Sequence, residues 1–293
     1  MIKKEISSIL SFYAISPIHA GSGASVASVD LPIQRERHTG FPHIQSSAVK
    51  GALRSHYRNF GEKGNKDVHL INYIFGSDEQ DKWNKSNDSL PGAISVSDAK
   101  ILAFPMRSNV APFVWVTCPT ILKRLKNDLE YINIELDLDY ENLKLTDDEA
   151  KIISGEFKVT DNKIILEEAV VLVSGEFNVD FISNNFSKLD RLILISDDMF
   201  DYCVSSCTEI QTNIKIESET GTAKDGSLRY QEFLPSDSVL YSVVYFSAQD
   251  MEDLQAEAIK KHLTDTVKDF VQVGGDVTFG KGICKVNWID GGE

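Results

Sequence analysis

The segment from Ala48 to Phe60 limits what this chain can fold into more than any other. Val49, Ala52, Leu53, His56, Tyr57 and Phe60 recur at i, i+3, i+4, i+7, i+8 and i+11, which is one continuous apolar face of a helix. Such a face has to be covered, so the helix must lie on a sheet or another helix. Ser46 or Ser47 is placed to cap its start and Gly61 to end it. Lys50, Arg54 and Arg58 form a basic stripe on a second face. Taken alone, that stripe is the solvated side of an amphipathic helix. Its setting is less ordinary, because SPIHAGSGAS (16–25) and the proline-punctuated VDLPIQRERHTGFPHI (29–44) come just before it.

The rest of the chain supplies strands and turns. KKEISSILSFYA (3–14) predicts a first strand, and GAISVSDAKILAF (92–104) and NVAPFVWVTCPT (109–120) predict further ones. The prolines of the last suggest an edge or a bend. Residues 61–92 are polar, with NKSNDSLPG as a loop, and residues 119–128 suit a short helix. Between about 130 and 200 the chain is acidic, and SGEFKV (154–159) returns as SGEFNV (174–179), as in two related strands of a local sheet. Residues 205–235 predict a long, exposed hairpin with a Gly/Thr/Asp-rich tip, the kind of projection that meets a ligand or partner. SVLYSVVYFSA (238–248), a helix over about 251–270, and VQVGGDVTFGKGICKVNW (271–288) close the chain. Strand, helix and strand at both ends imply an α+β protein with a split ferredoxin-like (RRM-like) palm. The palm spans about 1–120 and 236–293, with an acidic insertion over 121–204 and a β-hairpin over 205–235. Contiguous domains are the alternative, but neither half looks complete alone.

Charge narrows the function classes. The formal net charge is −14, which argues against a generic nucleic-acid binder. Residues 1–60 carry seven Lys/Arg against three acids, a balance of +4, so the remaining chain carries −18. A chain polarised in this way can offer one anion-binding face while the rest repels polyanions. No apolar run approaches the roughly 20 residues that span a bilayer. MIKKEISSILSFYAIS echoes a secretion signal but alternates like a strand, so a cytoplasmic protein without a membrane partner is expected. Cys203 and Cys207 have no histidine or second cysteine pair nearby to complete a zinc site, and read as plain thiols.

Three segments carry phosphate-binding parts. Gly21 and Gly23 let backbone amides approach an anion. The start of the 48–60 helix offers N–H groups and a favourable dipole, with Ser46, Ser47, Lys50, Gly51 and Arg54 around it. GGDVTFGKG (274–282) adds Gly280, Lys281 and Gly282. Singly, each is an ordinary turn or cap. A P-loop is excluded because Gly282 and Ile283 follow Lys281 where Ser or Thr is required. A repeating phosphate backbone therefore fits better than a mononucleotide. Asp30, between Val29 and Leu31 and near Arg35 and Arg37, reads either as a turn or ion-pair aspartate or as a catalytic one. Aspartate titrates near about 3.9 when unperturbed and makes a poor general base at neutral pH. A catalytic Asp30 would therefore hold a divalent ion or orient a 2′-hydroxyl, with His19 assisting proton transfer. Asp197 and Asp198 form a rival pair that more simply caps the next element.

PIHAGSG (17–23), VDLPIQRERHTGFPHIQSSAVKGALR (29–54), LPSDSVLYS (234–242) and GGDVTFGKG together resemble the RAMP-superfamily backbone subunit of type III-B CRISPR effector (Cmr) complexes. The match runs in order along nearly the whole chain, and residues 17–54 are its most specific part. It implies a ferredoxin-like palm with a protruding thumb (the 205–235 hairpin), and copies stacked head to tail in a helical filament on a CRISPR guide RNA beside other Cmr-type subunits. It further implies cleavage of complementary target RNA by attack of the adjacent 2′-hydroxyl, with Asp30 catalytic and Mg²⁺ or Mn²⁺ as cofactor. Lys50, Gly51 and Arg54 match the helix that holds the guide backbone, and Gly280 and Gly282 fall in the closing glycine motif. Gln45 stands where that family usually has glycine. A non-catalytic RNA scaffold and a small-ligand α+β metabolic enzyme are the competing readings.

Overall fold

The computed structural model describes residues 6–25, 28–61, 68–77, 91–155, 159–186, 188–247 and 255–291. In chain order the strands begin with β1 (Ser7–Ala14), β2 (His43–Ile44), β3 (Ile94–Val96), β4 (Ala99–Arg107) and β5 (Phe113–Thr117). They continue with β6 (Glu149–Ile152), β7 (Lys163–Leu166), β8 (Ala169–Glu176), β9 (Leu192–Ile195), β10 (Glu209–Asn213) and β11 (Arg229–Phe233). The last are β12 (Val239–Phe246), β13 (Phe270–Gln272) and β14 (Ile283–Asp290). The helices are α1 (Ser46–Phe60), α2 (Val68–Phe75), α3 (Pro119–Tyr131), α4 (Asp180–Asn185), α5 (Asp197–Ser206) and α6 (Ala256–Thr266).

Twelve strands join in one mixed sheet, ordered β13-β14-β1-β12-β4-β5-β9-β6-β8-β7, with β2 also on β4 and β3 on β12. At its heart β1 runs antiparallel to both β12 and β14, and β12 runs antiparallel to β4. SSILSFYA and VLYSVVYF are buried at nearly every position. Small buried serines (Ser7, Ser8, Ser11 and Ser242) sit among the apolar side chains there, which lets layers pack on both faces of these strands. α1 packs against α2 and α6, burying Val49, Leu53 and Tyr57, while α3 and α5 pack on β4. Tyr241 of β12 and Lys100 of β4 both bond the Asp128 carboxylate of α3, at 2.8 and 2.7 Å. Burial, then the neighbouring Asp128 charge, pushes the Tyr241 hydroxyl well up, so it remains a donor. Among the described residues no helix is long and apolar enough to cross a membrane.

Several expectations change. Neither Ser46 nor Ser47 caps α1: both lie inside it, Gln45 is the residue before it, and the Ser46 N–H donates to Asp98 Oδ1 at 2.7 Å. A cap from 52 positions away is invisible to local sequence logic. Phe60 is 71% exposed, because the helix leaves the core after Tyr57. Part of the expected polar loop is the helix α2, which buries Leu70, Ile71, Ile74 and Phe75. Most of NKSNDSLPG, the start of the first strand and the start of the 251–270 helix lie outside the described residues. β5 is an interior strand between β4 and β9, with Pro112 and Pro119 just beyond its ends. Of the SGEF echo, most of the first copy (156–158) lies outside the described residues; its Ser154 and Gly155 follow β6, and the second copy straddles the end of β8, the parallel neighbour of β6.

Two stability effects follow. Asp98→Ala removes the acceptor at the start of α1 and should cost about 1 kcal/mol, read as a lower urea midpoint with unchanged slope. Glu36 fastens the 33–42 loop to α3 by accepting from Arg124 at 2.7 Å and Thr39 at 2.6 Å. Burial alone would raise its pKa, but the Thr39 and Arg124 hydrogen bonds and the Arg124 charge leave it lowered. A lowered folded pKa stabilises above the unfolded value, near about 4.3, and the gain is lost as pH falls through the folded value. Glu36→Gln should therefore lower stability by about 2 kcal/mol at pH 7 and flatten the acid side of the stability–pH curve below about pH 4.5.

Candidate functional site

The site is built on one strand edge. β11 pairs with β10 from Asn213↔Arg229 to Glu209↔Phe233. Its other edge receives four residues from the two loops near the N-terminus. Tyr230 N–H donates to Asp30 Oδ2 at 2.8 Å. Leu31 bonds Tyr230 C=O and Glu232 N–H at 3.1 and 3.0 Å. His19 Nδ1 meets Glu232 C=O at 2.8 Å, and Ile18 exchanges two 2.9 Å bonds with Leu234. Residues 230, 232 and 234 point their polar groups the same way, as alternate positions of a strand do. The Asp30 and His19 anchor points are two residues apart, roughly 7 Å at about 3.3 Å per residue. No hydrogen bond joins the two side chains.

Asp30 is half-buried, and its Oδ1 has no partner among the described residues. Neither arginine pairs with it. Arg35 is held inside the fold, donating to Glu232 Oε1 at 2.6 Å, Val204 C=O at 2.9 Å and Gly40 C=O at 3.0 Å. Its guanidinium is thus already engaged by protein acceptors, with about a quarter of the side chain exposed. Arg37 is exposed and unpaired among the described residues. Sequence reasoning missed Glu232, which is only 6% exposed and also accepts from Ile33 N–H at 3.0 Å and Thr208 Oγ1 at 2.8 Å. Its signal was an acid set in the apolar return segment QEFLP.

His19 brings the two glycine loops together. A carbonyl can only accept, so Nδ1 carries the proton and neutral His19 keeps Nε2 as an acceptor. A Cβ at Gly21 would lie 2.7 Å from that Nε2, so glycine leaves room for the ring. Across the ring, Gly275 N–H donates to His19 C=O at 2.8 Å, and a Cβ at Gly274 (φ +84°) would sit 2.6 Å from the same oxygen. Phe233 lies 5.5 Å from the imidazole and carries the Lys281 ammonium 4.8 Å from its ring centre. Gly282 N–H donates to Pro17 C=O at 2.9 Å, while Gly23 and Gly280 face open space. Gln34 links the first loop to α1, donating to Gly21 C=O at 3.1 Å and accepting from Gln45 N–H at 2.8 Å.

The basic helix face is less available than expected. Lys50 Nζ donates to Ile94 C=O at 3.1 Å, and burial, then the Arg54 charge, lowers its pKa. Arg54 donates to Asn72 Oδ1 at 2.9 Å. Arg58, Ser47 and Gly51 are exposed, and Ser46 is half-buried with its N–H on Asp98. The expected free helix start is thus partly filled by a carboxylate. Of the rival acids, Asp197 is structural: it accepts from Thr120 N–H at 2.9 Å and Thr120 Oγ1 at 2.8 Å, tying α5 to the start of α3, while Asp198 is exposed. Burial pushes the Cys203 thiol up to about 12, so it stays protonated. Among the described residues no three His, Cys, Asp or Glu side chains form a metal site. Asp30 alone does not make a protein-held ion site.

Comparison with known proteins places the chain. The RAMP superfamily model matches residues 11–285. The CRISPR system Cmr endoribonuclease Cmr4 of Pyrococcus furiosus is 38% identical over 290 residues, 95% of this chain and 94% of that one. The CRISPR system CMR subunit Cmr4 of Saccharolobus solfataricus is 26% identical over 313 residues, covering 94% of each. The crystal structure of oligomeric Cmr4 from Pyrococcus furiosus matches with a TM-score of 0.72 at 30% identity, over 98% of this chain and 99% of that one. With the β11-edge geometry set on a matching fold, this chain belongs to the RAMP superfamily and, within it, to the Cmr4 family.

Proposed function

We propose that this chain is a repeated backbone subunit of a CRISPR RNA-guided ribonucleoprotein, an endoribonuclease that binds guide RNA and cuts complementary target RNA beside Asp30. One observation carries the reading: Asp30 is fixed by Tyr230 N–H at the root of the projecting hairpin, with Oδ1 left without a partner. The 38% identical relative named an endoribonuclease supports it. The antiparallel run β14-β1-β12-β4, with α1 following β1 and α6 between β12 and β14, supports a ferredoxin-like palm. On this reading the β10–β11 hairpin is the thumb and residues 121–204 are an insertion that widens the sheet. Copies of the chain stack along the guide as a filament beside other Cmr-type subunits, in the cytoplasm.

The chain's own groups account for positioning and proton handling. The Asp30 carboxylate orients a target 2′-hydroxyl by accepting its hydrogen bond, placing that oxygen against the neighbouring phosphorus. His19 Nε2 takes the proton, with the imidazolium steadied by the Glu232 carbonyl at Nδ1. As the bond from the 2′-oxygen to phosphorus forms, the bond from phosphorus to the 5′-oxygen breaks. That oxygen leaves as a hydroxyl with a proton from solvent, and a 2′,3′-cyclic phosphate remains. Lys281, over Phe233, lies close enough to His19's ring partner to favour phosphate charge at the same place. Gly21, Gly23 and Gly280 leave the approach open. Mg²⁺ or Mn²⁺ has a single candidate donor here, and no step is assigned to it.

The Tyr230 hydrogen bond also suits a scaffold in which Asp30 only ties the loop to the hairpin. Asp30→Asn separates the two, since the amide oxygen still accepts from Tyr230 N–H. Cleavage of labelled target by complexes assembled on guide RNA should fall at least about 100-fold with assembly intact; full cleavage would favour the scaffold. Gly21→Ala displaces the His19 ring and should slow cleavage about 10- to 100-fold while guide binding persists, measured under single turnover.

A further inference from the structure

A second basic feature lies apart from the loops and α1. Three strands, β12, β1 and β14, form the floor of a concavity of about 390 Å³, walled by the segment after α4. The paired residues Tyr13↔Lys285 and Ser11↔Asn287 present their side chains on one face of that floor. Lys285 is joined there by Lys188 and Lys268. All three lysines are exposed, and none has an ion-pair or hydrogen-bond partner among the described residues. In a chain of net charge −14, three unpaired lysines converging on one hollow stand out from the surface around them. The Asp237 carboxylate, hydrogen-bonded by the neutral Tyr13 hydroxyl, keeps its charge beside the hollow, and Asp190 also acts on Tyr13, but neither forms an ion pair with the three lysines.

The geometry points to this hollow as a contact for the phosphodiester backbone of a single nucleic-acid strand, additional to the one at His19 and Asp30. Unpaired ammonium groups are point charges suited to phosphate oxygens rather than to a planar carboxylate. Asn184 and Asn287 add neutral amides that reach phosphate or sugar. Continuity supports the assignment. Lys281, over Phe233, and Lys285, in the hollow, are four positions apart on the way into β14, at most roughly 13 Å with the bend at Gly282 (φ +73°) between them. That is about the span of two nucleotides of an extended strand. The inference rests on the RNA-backbone reading of the chain and shares Lys281 with it, while the three lysines of the hollow belong to neither the His19 and Asp30 loops nor α1.

Salt dependence tests it. Binding of a 30-nucleotide polyuridylate to the full-length chain is measured against salt for wild type, for Lys188→Gln/Lys268→Gln/Lys285→Gln and for the matching triple Arg variant. Three phosphate contacts on a single strand contribute a slope of about 2 in log K against log salt. The Gln variant should lose about that much slope and bind at least about 10-fold more weakly near 0.1 M salt. The Arg variant should keep both. An unchanged slope in a Gln variant that melts like wild type overturns the assignment. So does unchanged RNA binding with lost self-association, which would make the hollow a seat for an acidic surface of a second copy. If wild type binds no RNA at all, the reading of the whole chain fails first and this contact fails with it.

Discussion

A single buried carboxylate, Glu232, holds the functional corner together. Its Oε1 accepts from Arg35 and Thr208, its Oε2 from Ile33 N–H, and its carbonyl from His19. A charge so deep is tolerated only with donors on all sides, and stranding it by removing one partner costs about 3–5 kcal/mol. The four donors come from three pieces: Ile33 and Arg35 from the 30–35 loop, Thr208 from the base of the hairpin, His19 from the first glycine loop. Arg35 then passes the constraint on to Val204 at the end of α5 and to Gly40. Loops rich in glycine and proline are thereby fixed without a secondary structure of their own.

Charge is distributed to match. Half-buried acids are paired, Asp128 with Lys100 and Glu36 with Arg124, and the exposed Asp290 pairs with Lys260. The acidic surplus falls mostly over residues 128–198, which extend the sheet away from β1. Arg37 and the three lysines of the hollow are cations without partners among the described residues. Net charge alone would place this chain far from any polyanion, whereas its local arrangement does not.

Local patterning made some of this legible and long-range pairing hid the rest. The exposed hairpin could be read because Ile210, Ile214 and Ile216 alternate in a segment with no apolar partner, and all three are exposed. The core strands could be read from unbroken apolar runs. The apolar face of α1 was right through Tyr57 and failed at Phe60, where periodicity has no way to say that the core has ended. The basic stripe failed for a different reason: Lys50 and Arg54 are long enough to fold back onto Ile94 and Asn72, partners that helix geometry cannot predict. Asp30 was singled out, but its partner is 200 residues away, so no spacing rule could distinguish an arginine from a backbone amide. Glu232 escaped because a strand acid usually faces water.

The edge of β11 has one more consequence. Asp30 and His19 reach it from separate loops, yet each is referenced to the backbone of the same strand that forms half of the projecting hairpin. In mechanical terms the hairpin and the two side chains share one datum. Errors in loop position do not accumulate between them, because the distance is set by strand pitch and not by loop length. In a row of identical copies, that datum would repeat with the interval of the row, like the graduations of a ruler.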